Sequence, residues 1–133
     1  MNDTQKRLEC SLFILRITVF IVMAAWTADK FINPDHAAKV FEKFYYLKGF
    51  GPEIMMTIGA AEALVLLAFV TGIFKRYSYG IVLLAHTVST LSSWQQYFVD
   101  PNLLFFAAWP MLGACITLYL LRDQDKKLTL SKS

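Results

Sequence analysis

The chain has little that would equip a self-contained redox enzyme or a disulfide-stapled domain. There are two cysteines, Cys10 and Cys115, too few for a disulfide framework. Two reduced thiols among packed helices are expected, with a thiol redox pair as the lesser alternative. No CxxC pair and no haem or flavin motif occurs, so no covalently bound cofactor is expected and no metal site is indicated. Internal repeats, low-complexity stretches and a soluble appendage are also absent. The formal charge of +3 does not build a basic patch. Lys6 and Arg7, Lys75 and Arg76, and Arg122, Lys126, Lys127 and Lys132 stand at the ends of apolar blocks, where they serve topology, and nucleic acid is not an expected partner.

What the chain does have is apolar sequence gathered into blocks. Apolar residues make up 56% of the 133 positions, and four blocks approach the roughly 20 residues that a helix needs to cross a bilayer core about 30 Å thick. They run over 8–28, 54–74, 79–99 and 103–121. Lipid offers the backbone no hydrogen-bond partners, so segments of this length must be helices rather than barrel strands. The expected fold is an all-α membrane protein: one domain over 1–133, a four-helix transmembrane bundle, with both termini cytoplasmic and the cell (inner) membrane as its location. The connection from Val99 to Asn102 has no Lys or Arg, in keeping with that orientation. The long first connection runs against it, with Lys30, Lys39, Lys43 and Lys48 offset by Asp29, Asp35, Glu42 and Glu53. The first block is read as a retained anchor and not a cleaved signal, because Arg16 interrupts it and Trp26 stands where a small residue would be wanted.

That first connection carries its own helix. Asn33 and Pro34 form a start signal, and Gly49, Gly51 and Pro52 a stop, around an amphipathic stretch over 34–48. It is expected to lie on the outer membrane surface, either as a plain anchor or as a lid over the bundle mouth. In the fourth block Pro110 is expected to bend the helix and help form a cavity wall with Trp109.

Ionisable residues inside apolar blocks carry the functional information, since each costs about 2.5–3.5 kcal/mol at a helix centre on insertion scales unless partnered. Arg16, Glu62 and His86 are the three. Counted at 1.5 Å per residue, they stand about 12, 16 and 10 Å above the cytoplasmic face, so one layer is expected to hold all three. Arg16 and Glu62 are the natural ion pair, with His86 completing the cluster. Glu62 and His86 are the candidate proton-exchanging groups, and helix glue is the equally weighted alternative. Small residues around Glu62, from Gly59 to Ala63, suit close helix packing. Outward from His86, Ser89, Thr90, Ser93, Gln96 and Tyr97 form one polar face, read either as helix packing or as an access path with Trp26, Asp29, Lys30, Trp94, Gln95 and Tyr97 around its mouth.

Arg16, Lys30 with Phe31 in Ala-Trp-Thr-Ala-Asp-Lys-Phe, Gly59-x-x-Glu62, and the turn Thr71-Gly72-Ile73-Phe74-Lys75-Arg76 together resemble the DoxX-like family of small four-helix membrane proteins, from about Leu12 to Leu121. The resemblance implies a redox-associated membrane subunit linked to quinone or to thiol balance, with Arg16, Lys30 and Glu62 as its polar residues. The expected function is binding of quinone or another small lipophilic molecule near Arg16, Lys30, Glu62, His86, Ser89, Ser93 and Trp109. Lipid, a redox partner protein and further copies of the chain are the expected partners. A non-enzymatic assembly protein and a small transporter acting as an oligomer are the alternatives.

Overall fold

The computed structural model describes residues 2–130, and Lys132, counted above among the cytoplasmic charges, lies outside them. Among the described residues the regular elements are helical: α1 (Asp3–Ile32), α2 (Pro34–Tyr45), α3 (Pro52–Thr71), α4 (Lys75–Ser92), α5 (Gln95–Phe98) and α6 (Ala108–Leu120). Short 3-10 turns cover Leu103–Ala107 and Arg122–Gln124.

Local chemistry sets the ends. Asn2 caps α1 by accepting from the Gln5 amide at 2.7 Å, and α1 then runs 30 residues, about 45 Å at 1.5 Å per residue. Pro34 and Pro52 each sit in a first turn, where a missing amide hydrogen costs nothing. Gly72 closes α3 in the left-handed region at φ 71, and a Cβ there would stand 2.5 Å from Thr129 Cγ2, so the position needs glycine on two grounds.

α1 packs against α3 and α6, and α4 against α3 and α6, which closes a ring of four helices. α2 lies across one end, touching α1, α3 and α4. Leu12, Val19, Leu66, Phe69, Tyr79, Val82, Cys115 and Leu118 form the buried core. Three segments are long and apolar enough to cross a membrane: α1, α3 and Leu103–Leu120. α4 has the polar residues, but they point inward: Ser78, His86 and Thr90 are buried, whereas Ile81, Leu84, Val88 and Leu91 face out.

Two expectations about the later helices need correction. The third block's helix occupies 75–92 rather than 79–99, and breaks at Ser93 and Trp94 before the short α5. Thr87, Thr90 and Ser93 each bond the carbonyl four residues back, which competes with a continuing helical ladder, and Pro101 bars its resumption. Pro110 does not bend the middle of a helix. It lies in the first turn of α6, and the irregular stretch precedes it as the 3-10 turn at Leu103–Ala107, because the proline ring collides with the carbonyl four residues earlier.

Candidate functional site

The expected single charged layer does not form. Arg16 donates to Asp125 Oδ1 at 2.7 Å and to the Lys127 and Leu128 carbonyls at 2.6 and 3.2 Å. Glu62 instead accepts from Lys30 at 3.0 Å and from Thr27 Oγ1 at 3.1 Å. The physical reason is the register of α1 against α3, to which side-chain direction adds. Every Cα–Cβ bond in a helix tilts toward that helix's N-terminus. α1 and α3 run antiparallel, since Lys30 meets Glu62 at one end while the Thr71 carbonyl accepts from Leu130, in the Arg16-bound segment, at the other. Glu62 lies level with Thr27, as Gly59 does with Lys30, so the Arg16 backbone stands eleven residues, about 16 Å, nearer the other end of the bundle, and the two side chains tilt further apart.

Arg16 thus belongs to a staple at the end of the ring that holds the α3–α4 turn. Asp125 is fully buried and accepts from Arg16 and, at its other oxygen, from the Tyr79 hydroxyl. Lys75, read from sequence as a topology charge, is buried and donates to the Asp125 carbonyl. Asp125 and Tyr79 were not singled out in the sequence. Two acids among the basic residues of a polar tail carry no signal that one of them folds inward.

At the opposite end the helices border a half-open cavity of about 350 Å³ between α1, α3 and α4, beneath α2. Its polar groups are Thr27, Lys30, Glu62, His86 and Ser89, and Met23, Trp26, Phe41, Tyr45, Val65 and Val82 supply apolar wall. Spacings of three and four residues bring Met23, Trp26, Thr27 and Lys30 onto one face of α1, and Val82, Ala85, His86 and Ser89 onto one face of α4. Gly59 lets α1 approach: a Cβ there would meet the Phe31 ring at 2.8 Å and Lys30 Cβ at 3.3 Å. The Lys30 ammonium also lies 5.6 Å from the centre of the Phe41 ring on α2. A second cavity of about 280 Å³ adjoins the first, sharing Trp26, Lys30, Phe41, Tyr45 and Ser89 and adding Asp29, His36 and Ser93.

His86 is 1% exposed, and its ring stacks on Trp26 with centroids 6.0 Å apart. Nε2 lies 3.0 Å from the Ala108 carbonyl oxygen of α6 and 3.3 Å from Thr90 Oγ1. Nδ1 is buried and has no hydrogen-bond partner among the described residues.

Lys30, Glu62, His86, Ser89 and Ser93 therefore gather at these cavities, and two expected site residues do not. Arg16 is in the staple. Trp109 lines neither cavity; it is 43% exposed and packs on Tyr97 at 5.6 Å. The reason is position, because no residue of α6 lines either cavity. The polar face of α4 also fails to make a continuous path, since Thr90 and Ser93 bond their own helix and Tyr97 folds back onto the Thr90 carbonyl. Trp26, Asp29 and Lys30 line the cavities at this end, whereas Trp94 and Gln95 do not. Cys10 and Cys115 are both free thiols. No protein-family model, no curated protein and no solved structure matches this chain.

Proposed function

We propose that the chain is a DoxX-like, four-span protein of the cell (inner) membrane with cytoplasmic termini. In this reading it is a redox-associated membrane subunit that binds quinone or a similar small lipophile in the 350 Å³ cavity. The observation that carries it is the lining: aromatic and aliphatic walls with a Lys30–Glu62 ion pair, a buried histidine and a serine converging on one space. That combination is typical of small-molecule sites, and the volume falls within their usual range of about 300–1,000 Å³. An outward face of Ile81, Leu84, Val88 and Leu91 supports α4 as a fourth span, since an inward polar face costs nothing where lipid does not touch it. The Lys and Arg distribution supports the orientation.

In such a site the apolar walls would pack against a ring-shaped head group. Lys30 has ammonium hydrogens beyond the one given to Glu62 and would supply a donor to a ligand oxygen. Glu62, held by Lys30 and Thr27, is the candidate proton acceptor. Quinone would supply the electron chemistry. The test is titration of the purified protein with a short-chain quinone, followed by tryptophan quenching. Saturable quenching that disappears in Ala85→Trp, which fills the cavity, is the expected result; quenching that persists unchanged in that variant overturns the proposal.

A non-enzymatic assembly protein is the second reading. It is favoured by the exposed apolar corner of Phe98, Val99, Leu103 and Leu104 beside α5. One stoichiometric partner lost on Leu103→Ser with Leu104→Ser, with quinone binding absent throughout, would select it.

A further inference from the structure

His86 has one nitrogen satisfied and one not, and the neighbours of the satisfied one decide which carries hydrogen. Thr90 has a single hydroxyl hydrogen and gives it to the His86 carbonyl at 2.8 Å. Its oxygen can then only accept from the ring, and the Ala108 carbonyl can only accept as well. Both partners of Nε2 are acceptors, so the ring hydrogen sits on Nε2. No carboxylate bonds the ring among the described residues. In the neutral ring Nδ1 is therefore a lone pair lacking a donor, on a residue of the cavity wall and covered by its neighbours, so a ligand hydroxyl reaches it with a small shift of the side chains around it. Both Glu62 oxygens accept and Thr27 gives its hydrogen to Glu62, while Lys30 and Ser89, which carry hydrogens, also line the wall.

From this we infer that the cavity selects ligands that present a hydroxyl to His86 Nδ1. The class is a phenol or hydroquinone on a flat lipophilic body, and the corresponding carbonyl or ether form is discriminated against. Flatness follows from the walls, where Trp26, Phe41 and Tyr45 offer aromatic surface. The polarity follows from chemistry: a carbonyl or ether oxygen brought to a lone pair leaves two acceptors facing each other, whereas a hydroxyl satisfies the one orphaned buried atom at the site. The inference rests on the cavity being a lipophile site, and adds which oxidation state or substituent that site prefers.

The experiment uses the full chain in nanodiscs and three probes of nearly equal shape: a short-chain hydroquinone, its dimethyl ether and the matching quinone. Binding is read by tryptophan quenching under argon, with ¹⁵N shifts of the histidine ring recorded on the same protein. The hydroquinone is expected to bind about tenfold more tightly than the ether, the value of one buried hydrogen bond near 1.4 kcal/mol. The Nδ1 resonance of His86 should move when the hydroquinone binds and stay in place with the ether. His86→Gln sets an amide near the Nε2 position, keeps a donor for Ala108 and lacks the Nδ1 acceptor, so it should bind all three probes alike. Equal affinities for the three probes in the natural protein, with a stationary Nδ1 resonance, overturn the inference and leave the lipophile site standing. Failure of every probe to bind removes the site itself, and the inference with it.

Discussion

Arg16 and Asp125, 109 residues apart in sequence, meet at 2.7 Å with neither side chain exposed. Their partners are unequal. Asp125 serves both Arg16 and Tyr79, so Asp125→Ala strands a buried guanidinium and a buried phenol, while Arg16→Ala leaves Asp125 with Tyr79. Breaking a buried pair from one side costs about 3–5 kcal/mol, and the expected order of stability loss is Asp125→Ala, then Arg16→Ala, then the exposed control Lys126→Ala. Thermal melting in detergent checks this. An Asp125→Ala protein that melts with the control would mean the segment after Arg122 does not hold the ring together.

Gly72→Ala should loosen the same staple from another side. The residue sits at φ 71, where an L side chain costs about 1–2 kcal/mol, and the added methyl would stand 2.5 Å from Thr129 Cγ2. Moving Thr129 pulls on the Leu128 and Lys127 carbonyls that cap Arg16. Limited proteolysis is the readout: cleavage between 122 and 130 should rise in Gly72→Ala and fall back in part when Thr129→Gly is added, because the backbone strain remains.

Lys30 and Glu62 offer a measurable coupling. Lys30 is nearly buried and Glu62 is 37% exposed in its side chain, so solvent screening limits the pair to about 1 kcal/mol. A double-mutant cycle with Lys30→Met and Glu62→Gln should give that coupling in melting experiments. A value indistinguishable from zero would mean that the 3.0 Å contact is incidental.

Four spans and three spans differ in where Arg76 and Asp100 lie, since both are exposed and α4 separates them. With Cys10 and Cys115 replaced by serine, Arg76→Cys should react with a membrane-impermeant maleimide only from the cytoplasmic side, and Asp100→Cys only from the outside. Labelling of both from one side would place α4 along the membrane rather than through it.

These tests fall mostly on contacts that the sequence does not display. Helix positions could be read because lipid-length apolar blocks and Asn-Pro or Gly-Pro signals are local properties, and α2 begins at Pro34 for the same reason. Pairing is not local. Counting residues from the block ends gives Arg16 and Glu62 one height, but α1 and α3 pack with Thr27 opposite Glu62, which leaves Arg16 about 16 Å further along α1 and beside the tail. Lys30 and Glu62 could not be paired by counting either, since the register of α1 against α3 sets that contact. Nor could Asp125, because its burial depends on a tail folding back through Thr129 and Gly72, a contact between residues far apart in sequence.

α2 is built either to anchor or to close over the cavity. Its strongly amphipathic stretch packs Phe41 over Lys30 and Phe44 against Phe105 with ring centres 5.7 Å apart, and Ala37 is its buried residue. A helix that only anchors on a membrane surface would owe nothing to Phe105, which lies in the 3-10 turn before α6. If α2 is instead a lid, Phe44→Ala removes a contact present only when the lid is shut, worth about 0.5–1.5 kcal/mol beyond its area. Opening should become about two- to tenfold easier, so a bound short-chain hydroquinone should leave faster by that factor while its arrival is less affected. Stopped-flow displacement measures the release rate. Phe50→Ala is the comparison, because Phe50 follows α2 and touches Phe41 but lines neither cavity. Faster release in Phe44→Ala alone identifies the lid, and equal release in both variants and the natural protein reduces α2 to an anchor.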